Sequence, residues 1–168
     1  MSTYFDLEAA AARGCGDVVD YLRGCAHVSA ALDGLHAFCI DALERRRAEA
    51  ASSGWEVRAP TGSAHEIILA PGARVCEGST LDASGGPIFL GPDTVVEPAA
   101  LVRGPAIVGE GTVVRHGAYI RGDVVLGAGC VVGGELKHAL ALDHCELPHY
   151  GCTCRPVLNS AALSWSRV

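Results

Sequence analysis

The stretch LGPDTVVEPAALVRGPAIVGEGTVVRHGAYIRGDVVLGAGCVVGG, residues 90–134, decides how this chain folds. Counted in sixes from Leu90, its first position is Leu90, Val96, Val102, Val108, Val114, Ile120, Leu126 and Val132, aliphatic at every step. Its fifth position is Thr94, Ala100, Ala106, Thr112, Ala118, Val124 and Cys130, always small. Glycine, proline and charge gather between them. A helix repeats its apolar face every three to four residues, and a strand every two. A period of six fits neither as a single element. It fits short strands joined by regular corners, the hexapeptide pattern of a left-handed parallel β-helix. Three hexads close one triangular coil, with the aliphatic residue inside and the small one at the corner. Gly127, Gly129 and Gly133 read as corner residues, where a tight turn favours a missing Cβ. Each coil pairs with its neighbours, so stability accumulates coil by coil.

Working upstream, Leu69, Val75 and Leu81 also step in sixes, three residues out of phase with the later run. A small loop within residues 82–89 absorbs the difference, and the prism begins near Ile67. Downstream of Glu135 the period fades. Leu136, Ala139, Leu140, Leu142 and Leu147 still predict at least one irregular coil, and after Tyr150 the pattern is lost. Residues before the prism are helical in character. Leu32, Leu35, Cys39 and Leu43 share one face at steps of three and four. Ser29 is the expected N-cap. Arg45, Arg46 and Arg47 are placed in the last turn, where cations complement the helix dipole. A shorter helix over residues 17–22 ends at Gly24. Ser52, Ser53, Gly54, Pro60 and Gly62 mark a linker. The expected organisation is an all-β, single-stranded left-handed parallel β-helix with an N-terminal α-helical appendage. Its parts are a helical segment over 1–50, a linker over 51–66, the β-helix over 67–151 and an irregular tail over 152–168.

Composition agrees with a thin, aliphatic core: 49% of residues are hydrophobic and only 5% aromatic. A net charge of -6 argues against a general nucleic-acid surface. No apolar run approaches the roughly 20 residues of a membrane span. The start, Met-Ser-Thr-Tyr-Phe-Asp, lacks the basic and apolar regions of a signal peptide, so a cytoplasmic protein is expected. The eight cysteines are scattered, and a reducing compartment keeps them as thiols. Cys130, at a fifth position, reads as a small corner filler. An open end of the prism exposes backbone groups and an apolar section, so the tail with Trp165, the helices or another subunit is expected to cover it.

The motifs GAYIRG (117–122), ELK (135–137) and LPHYG (147–151) resemble a family of bacterial hexapeptide proteins associated with sugar nucleotides. Its members are labelled UDP-N-acetylglucosamine pyrophosphorylase-related. They are similar to the acyltransferase half of the bifunctional N-acetylglucosamine-1-phosphate uridyltransferase and glucosamine-1-phosphate acetyltransferase. The segment 22–40 resembles the helical leader of the stand-alone members. The resemblance implies that His149 is the general base, removing a proton from a sugar amine as it attacks acetyl-CoA. An imidazole suits this because its pKa lies near working pH. It also implies that Arg121 and Lys137 hold the sugar phosphate, with Glu135 and Tyr150 beside them. A guanidinium fork fits phosphate bidentately. The implied ligands are a sugar phosphate or nucleotide sugar and acetyl-CoA, and the implied assembly is a homotrimer.

The departures bear on activity. After His149 the family carries Tyr-Val-Gly-Asp-Ser, whereas this chain has Cys152, Thr153, Cys154, Arg155 and Pro156. The family's later coils, which form the acetyl-CoA groove, find no match. The span from Arg121 to Lys137 is about two residues short, which shifts the coil register. No Gly-rich nucleotidyltransferase domain is present, so pyrophosphorylase activity is not expected. Two alternatives stand beside an acyltransferase or its inactive relic. One is a non-catalytic trimerisation or regulatory module. The other is a zinc site from His144, Cys145, His149, Cys152 and Cys154, since thiolate and neutral imidazole are zinc's usual ligands. A zinc hydrase of the γ-carbonic anhydrase type uses the same fold, although its flanking histidine motifs are not found here.

Overall fold

The computed structural model describes residues 16–149 and 151–158. Three helices come first: α1 (Gly16–Gly24), α2 (Val28–Asp33) and α3 (Leu35–Ser53). A short strand, Glu56–Arg58, then runs antiparallel to Ile67–Leu69. From Ile67 onward the chain is a parallel β-helix of about five turns with three faces. The first face stacks Ile67–Leu69, Ile88–Leu90, Ala106–Val108, Val124–Leu126, Ala139–Ala141 and Val157–Leu158. The second stacks Arg74–Val75, Val95–Val96, Val113–Val114, Val131–Val132 and Glu146–Leu147. The third stacks Thr80–Asp82, Leu101–Arg103, Tyr119–Arg121, Glu135–Lys137 and Cys152–Cys154.

The hexads build this directly. All eight aliphatic residues from Leu90 to Val132 point inside and are at most 1% exposed. The fifth-position residues are equally buried. One corner column is polar: the Thr94 hydroxyl donates to the Gly109 carbonyl and that of Thr112 to the Gly127 carbonyl, at 3.0 and 2.7 Å. Cys130 fills the same column, as expected, and its thiol also donates to the Leu142 carbonyl at 3.2 Å. Buried polar groups in a low-dielectric interior need such partners.

Coil length varies while the inward side is kept. In the regular region Ile88 lies opposite Ala106, and Ala106 opposite Val124. The first coil is three residues longer, because a 3-10 turn at Ala83–Gly85 leaves the third face before Ile88. This is the expected loop. The later coils shorten: Tyr119 lies opposite Glu135 and Val124 opposite Ala139. The shortfall between Arg121 and Lys137 is taken up at the corners rather than in the strands. Ile120 therefore still stacks on Leu136 inside. A slip within a strand would instead have turned its core residues outward.

Several expectations are corrected. The prism does not stop at residue 151: Cys152–Cys154 pairs with Glu135–Lys137, and Val157–Leu158 with Leu140–Ala141. Its inward residue there is Thr153, so the aliphatic signature was missing although the coil forms. The linker is shorter than 51–66, since α3 runs to Ser53 and ends on Gly54 in the left-handed region (φ 69°). Arg45, Arg46 and Arg47 therefore lie in mid-helix. Arg46 pairs with Asp17 at 3.1 Å and Arg47 with Glu66 at 2.6 Å. The N-cap of α2 is His27, whose Nδ1 accepts from the Ala30 amide at 3.1 Å, while Ser29 bonds the same ring nitrogen. Of the three corner glycines, only Gly129 has a positive φ (63°). Gly127 and Gly133 are demanded by close approach: a Cβ would sit 2.6 Å from the Asp143 nitrogen and 2.9 Å from the Pro148 oxygen, respectively.

The helical segment is not separate from the prism. The middle residues of the first face, Ile68, Phe89, Ile107, Val125 and Leu140, point outward yet are buried. They share one apolar cluster with Val19, Leu22, Leu35, Phe38 and Leu43. Trp55 and Arg46 both pack on the Phe89 ring, at 5.5 Å. Tyr21 stacks on Phe38 at 4.3 Å, and burial pushes its phenol up to about 12. The helices thus cover a side of the prism rather than an end. Among the described residues no helix is long and apolar enough to cross a membrane.

Candidate functional site

The third face carries the concentrated chemistry. Each of its strands turns its middle residue inward and its flanking residues outward. One outward column is Asp82, Arg103, Arg121, Lys137 and Cys154, taken coil by coil. Its neighbour is Thr80, Leu101, Tyr119, Glu135 and Cys152. Successive coils are about 4.8 Å apart. Three cations therefore stand in a row along the prism axis.

Their surroundings differ. Arg103 donates to Asp82 at 2.8 Å. Hydrogen bonds from Ser84, then from Arg103, pull the Asp82 carboxyl down to about 2. Arg121 pairs with Glu135 and lies 5.5 Å over the Tyr119 ring. The Glu135 hydrogen bond raises the Arg121 pKa further. Lys137 is exposed and makes no ion pair among the described residues. The side chains expected from the sequence at Arg121, Glu135 and Lys137 are thus brought together on two adjacent coils.

His149 is placed differently. It lies on the exposed turn between the second and third faces, with its backbone oxygen close over Gly134. Among the described residues nothing hydrogen-bonds its ring, so neither tautomer is fixed. Tyr150 lies outside the described residues.

The zinc constellation is not assembled. His144 is exposed at a corner, Cys145 points into the prism and is fully buried, and Cys152 and Cys154 face outward. Among the described residues no group of three or more His, Cys, Asp or Glu could hold a metal ion. Neighbours in sequence are sent to opposite sides of a strand and to different faces, which is why the cluster dissolves.

Sequence reasoning missed three groups. Arg103 recurs one coil before Arg121, and the parallel Leu-Val-Arg-Gly and Tyr-Ile-Arg-Gly segments held that signal. Arg155 and His138 sit at the next corner, sharing a recess with Lys137 and Cys154. Arg155 pairs with Asp33 at 2.7 Å. His138 meets the Leu32 carbonyl through Nε2, which therefore carries the proton. Asp123 accepts from His36 at 2.6 Å and faces His138 at 3.4 Å. The bonds to Asp33, Leu32 and His36 each span more than eighty residues, and nothing local announces them.

A second cleft, of about 270 Å³, lies between the helices and the first face. Its charged lining is partly self-neutralised by the Arg46–Asp17 pair. The ladder, whose Lys137 has no ion pair among the described residues, is the better site. Comparison with models of protein families, with curated proteins and with solved structures finds no match to this chain.

Proposed function

We propose that this chain is a hexapeptide-repeat protein of transferase type, acting in sugar-nucleotide chemistry, whose third face binds the phosphate of a sugar phosphate or nucleotide sugar. The observation that supports this reading is Lys137: an exposed ammonium without a carboxylate partner among the described residues, one coil from the Arg121 guanidinium. A phosphate dianion needs more than one cation. Arg121 supplies a planar fork and Lys137 a point charge. Glu135 holds Arg121 in place until the phosphate competes for it.

Calorimetric titration with glucosamine-1-phosphate and with UDP-N-acetylglucosamine tests the site. Lys137→Ala is expected to weaken binding about tenfold, or ~1.4 kcal/mol. Equal affinity in the variant and the parent overturns the assignment.

For acyl transfer, His149 takes the proton of the sugar amine. The nitrogen–carbon bond forms at the acetyl-CoA thioester, the carbon–sulfur bond breaks and CoA leaves as the thiolate. His149→Ala is expected to lower turnover of acetyl-CoA by at least about a hundredfold. Unchanged turnover removes the role.

A second reading, a trimerisation module built from copies of this chain, is favoured by the second face. Val95, Val113 and Val131 form a half-buried apolar column there, with no helix over it among the described residues. A monomer in light scattering at working concentration counts against it.

A further inference from the structure

Seven cysteines lie among the described residues, and only Cys152 and Cys154 are exposed. They occupy the two outward positions of one strand, with Thr153 between them facing in. Their sulfurs are 3.1 Å apart. Alternate residues on a strand lie about 6.6 Å apart. A disulfide tolerates Cα separations up to ~6.8 Å. Joining the sulfurs therefore asks for a local pucker of the last coils, with the inward residue left in place.

The surroundings favour the chemistry. Cys154 stacks on Lys137 in the cationic column and shares a recess with His138 and Arg155. Glu135 stacks on Cys152, and Arg121 lies one coil before Glu135. Cations stabilise a thiolate and draw in an anionic thiol reagent. Cys130 and Cys145 make the contrast. They also meet across adjacent coils, but inside the prism, where their mutual hydrogen bond and then burial push the Cys145 thiol far up.

We propose that Cys152 and Cys154 form a redox-active dithiol that exchanges with an anionic low-molecular-weight disulfide of the glutathione class. Cys154 lies beside Lys137 and Arg155, so it is the attacking sulfur, and Cys152, 3.1 Å away, is the resolving one. The Cys154 thiolate attacks one sulfur of glutathione disulfide. A mixed disulfide forms, and one glutathione leaves as the thiolate. The Cys152 thiolate then attacks the Cys154 sulfur and expels the second glutathione. Two protein thiols are oxidised, one glutathione disulfide is reduced to two glutathiones, and the two thiol protons end on those leaving groups. The product closes a three-residue ring within the strand Cys152–Cys154, beside Lys137.

The full chain is equilibrated with excess glutathione disulfide, and the tryptic peptide spanning 138–167 is mapped by mass spectrometry. Expected is the loss of two hydrogens, with fragmentation assigning the bond to Cys152 and Cys154. Thiol labelling at both is expected to fall about tenfold or more. Cys152→Ser is expected to stop at one glutathione on Cys154. Both residues are exposed, so the substitution leaves the core intact. Three results overturn the proposal: no reaction, a mixed disulfide that persists in the parent protein, or a bond that includes Cys145. This outcome is independent of phosphate binding, which is read by calorimetry on the reduced protein.

Discussion

Gly109→Ala is expected to lower the melting temperature by roughly 6–12 °C. The added Cβ would sit 2.5 Å from the carbonyl carbon of Gly127 and 2.6 Å from its oxygen. These are backbone atoms of the next coil, held by ladder bonds on both sides, and they cannot rotate away. Relief requires the coils to separate, which lengthens hydrogen bonds at that corner. Overpacking of this kind costs about 1–3 kcal/mol, and the rigid neighbour places Gly109 at the upper end. At this chain length each kcal/mol is worth roughly 2–4 °C. Gly111, two residues on, provides the control. Its φ is 63°, but nothing lies within 4 Å of its Cβ position. Asp93 holds the equivalent point one coil earlier at φ 53°. Gly111→Asp is therefore expected to cost less than about 1 kcal/mol, because Asp tolerates the left-handed region. Equal shifts for the two variants, read by calorimetry, would mean that coil contact is not what requires glycine at 109.

Leu43→Asp is expected to undock the helices while the prism stays folded. Leu43 is 1% exposed and lines the contact between α3 and Ile68. An unpaired carboxylate there costs several kcal/mol. The interior of the prism forms a cluster that includes no helical residue. The helix cluster meets only the outward residues of the first face. The two can therefore part without opening the β-helix. Hydrogen exchange should show protection lost over residues 35–53 and kept at Val108, Ile120 and Leu126. The exposed strip of Ile68, Phe89, Ile107, Val125 and Leu140 should also drive association. Uniform loss of protection along the chain would show that helices and prism fold as one unit.

Much of the site was legible in part. Arg121, Glu135 and Lys137 were identified from motif resemblance, and the ladder places them side by side because parallel strands stack equivalent residues. Arg103 could have been found by applying the coil repeat to the motif itself. His149 was found as a residue but not as a geometry, since a corner turn leaves its ring direction open. The candidate zinc ligands His144, Cys145, His149, Cys152 and Cys154 are close in sequence but not in space. On a strand, alternation sends adjacent side chains to opposite sides.

The prism follows from hexad spacing alone. A period of six forces aliphatic residues inward and small ones into corners, and no other arrangement buries eight such residues in register. It also located the three-residue loop before Ile88, because a phase shift must be taken up somewhere. Only the tertiary structure decided which face the helices cover. The outward apolar residues of that face, one per coil, gain meaning only when something lies on them. It likewise decided that the coil over Cys152–Cys154 forms without an aliphatic core residue. Ladder hydrogen bonds to Glu135–Lys137 hold that strand, and backbone pairing leaves no mark in the order of side chains.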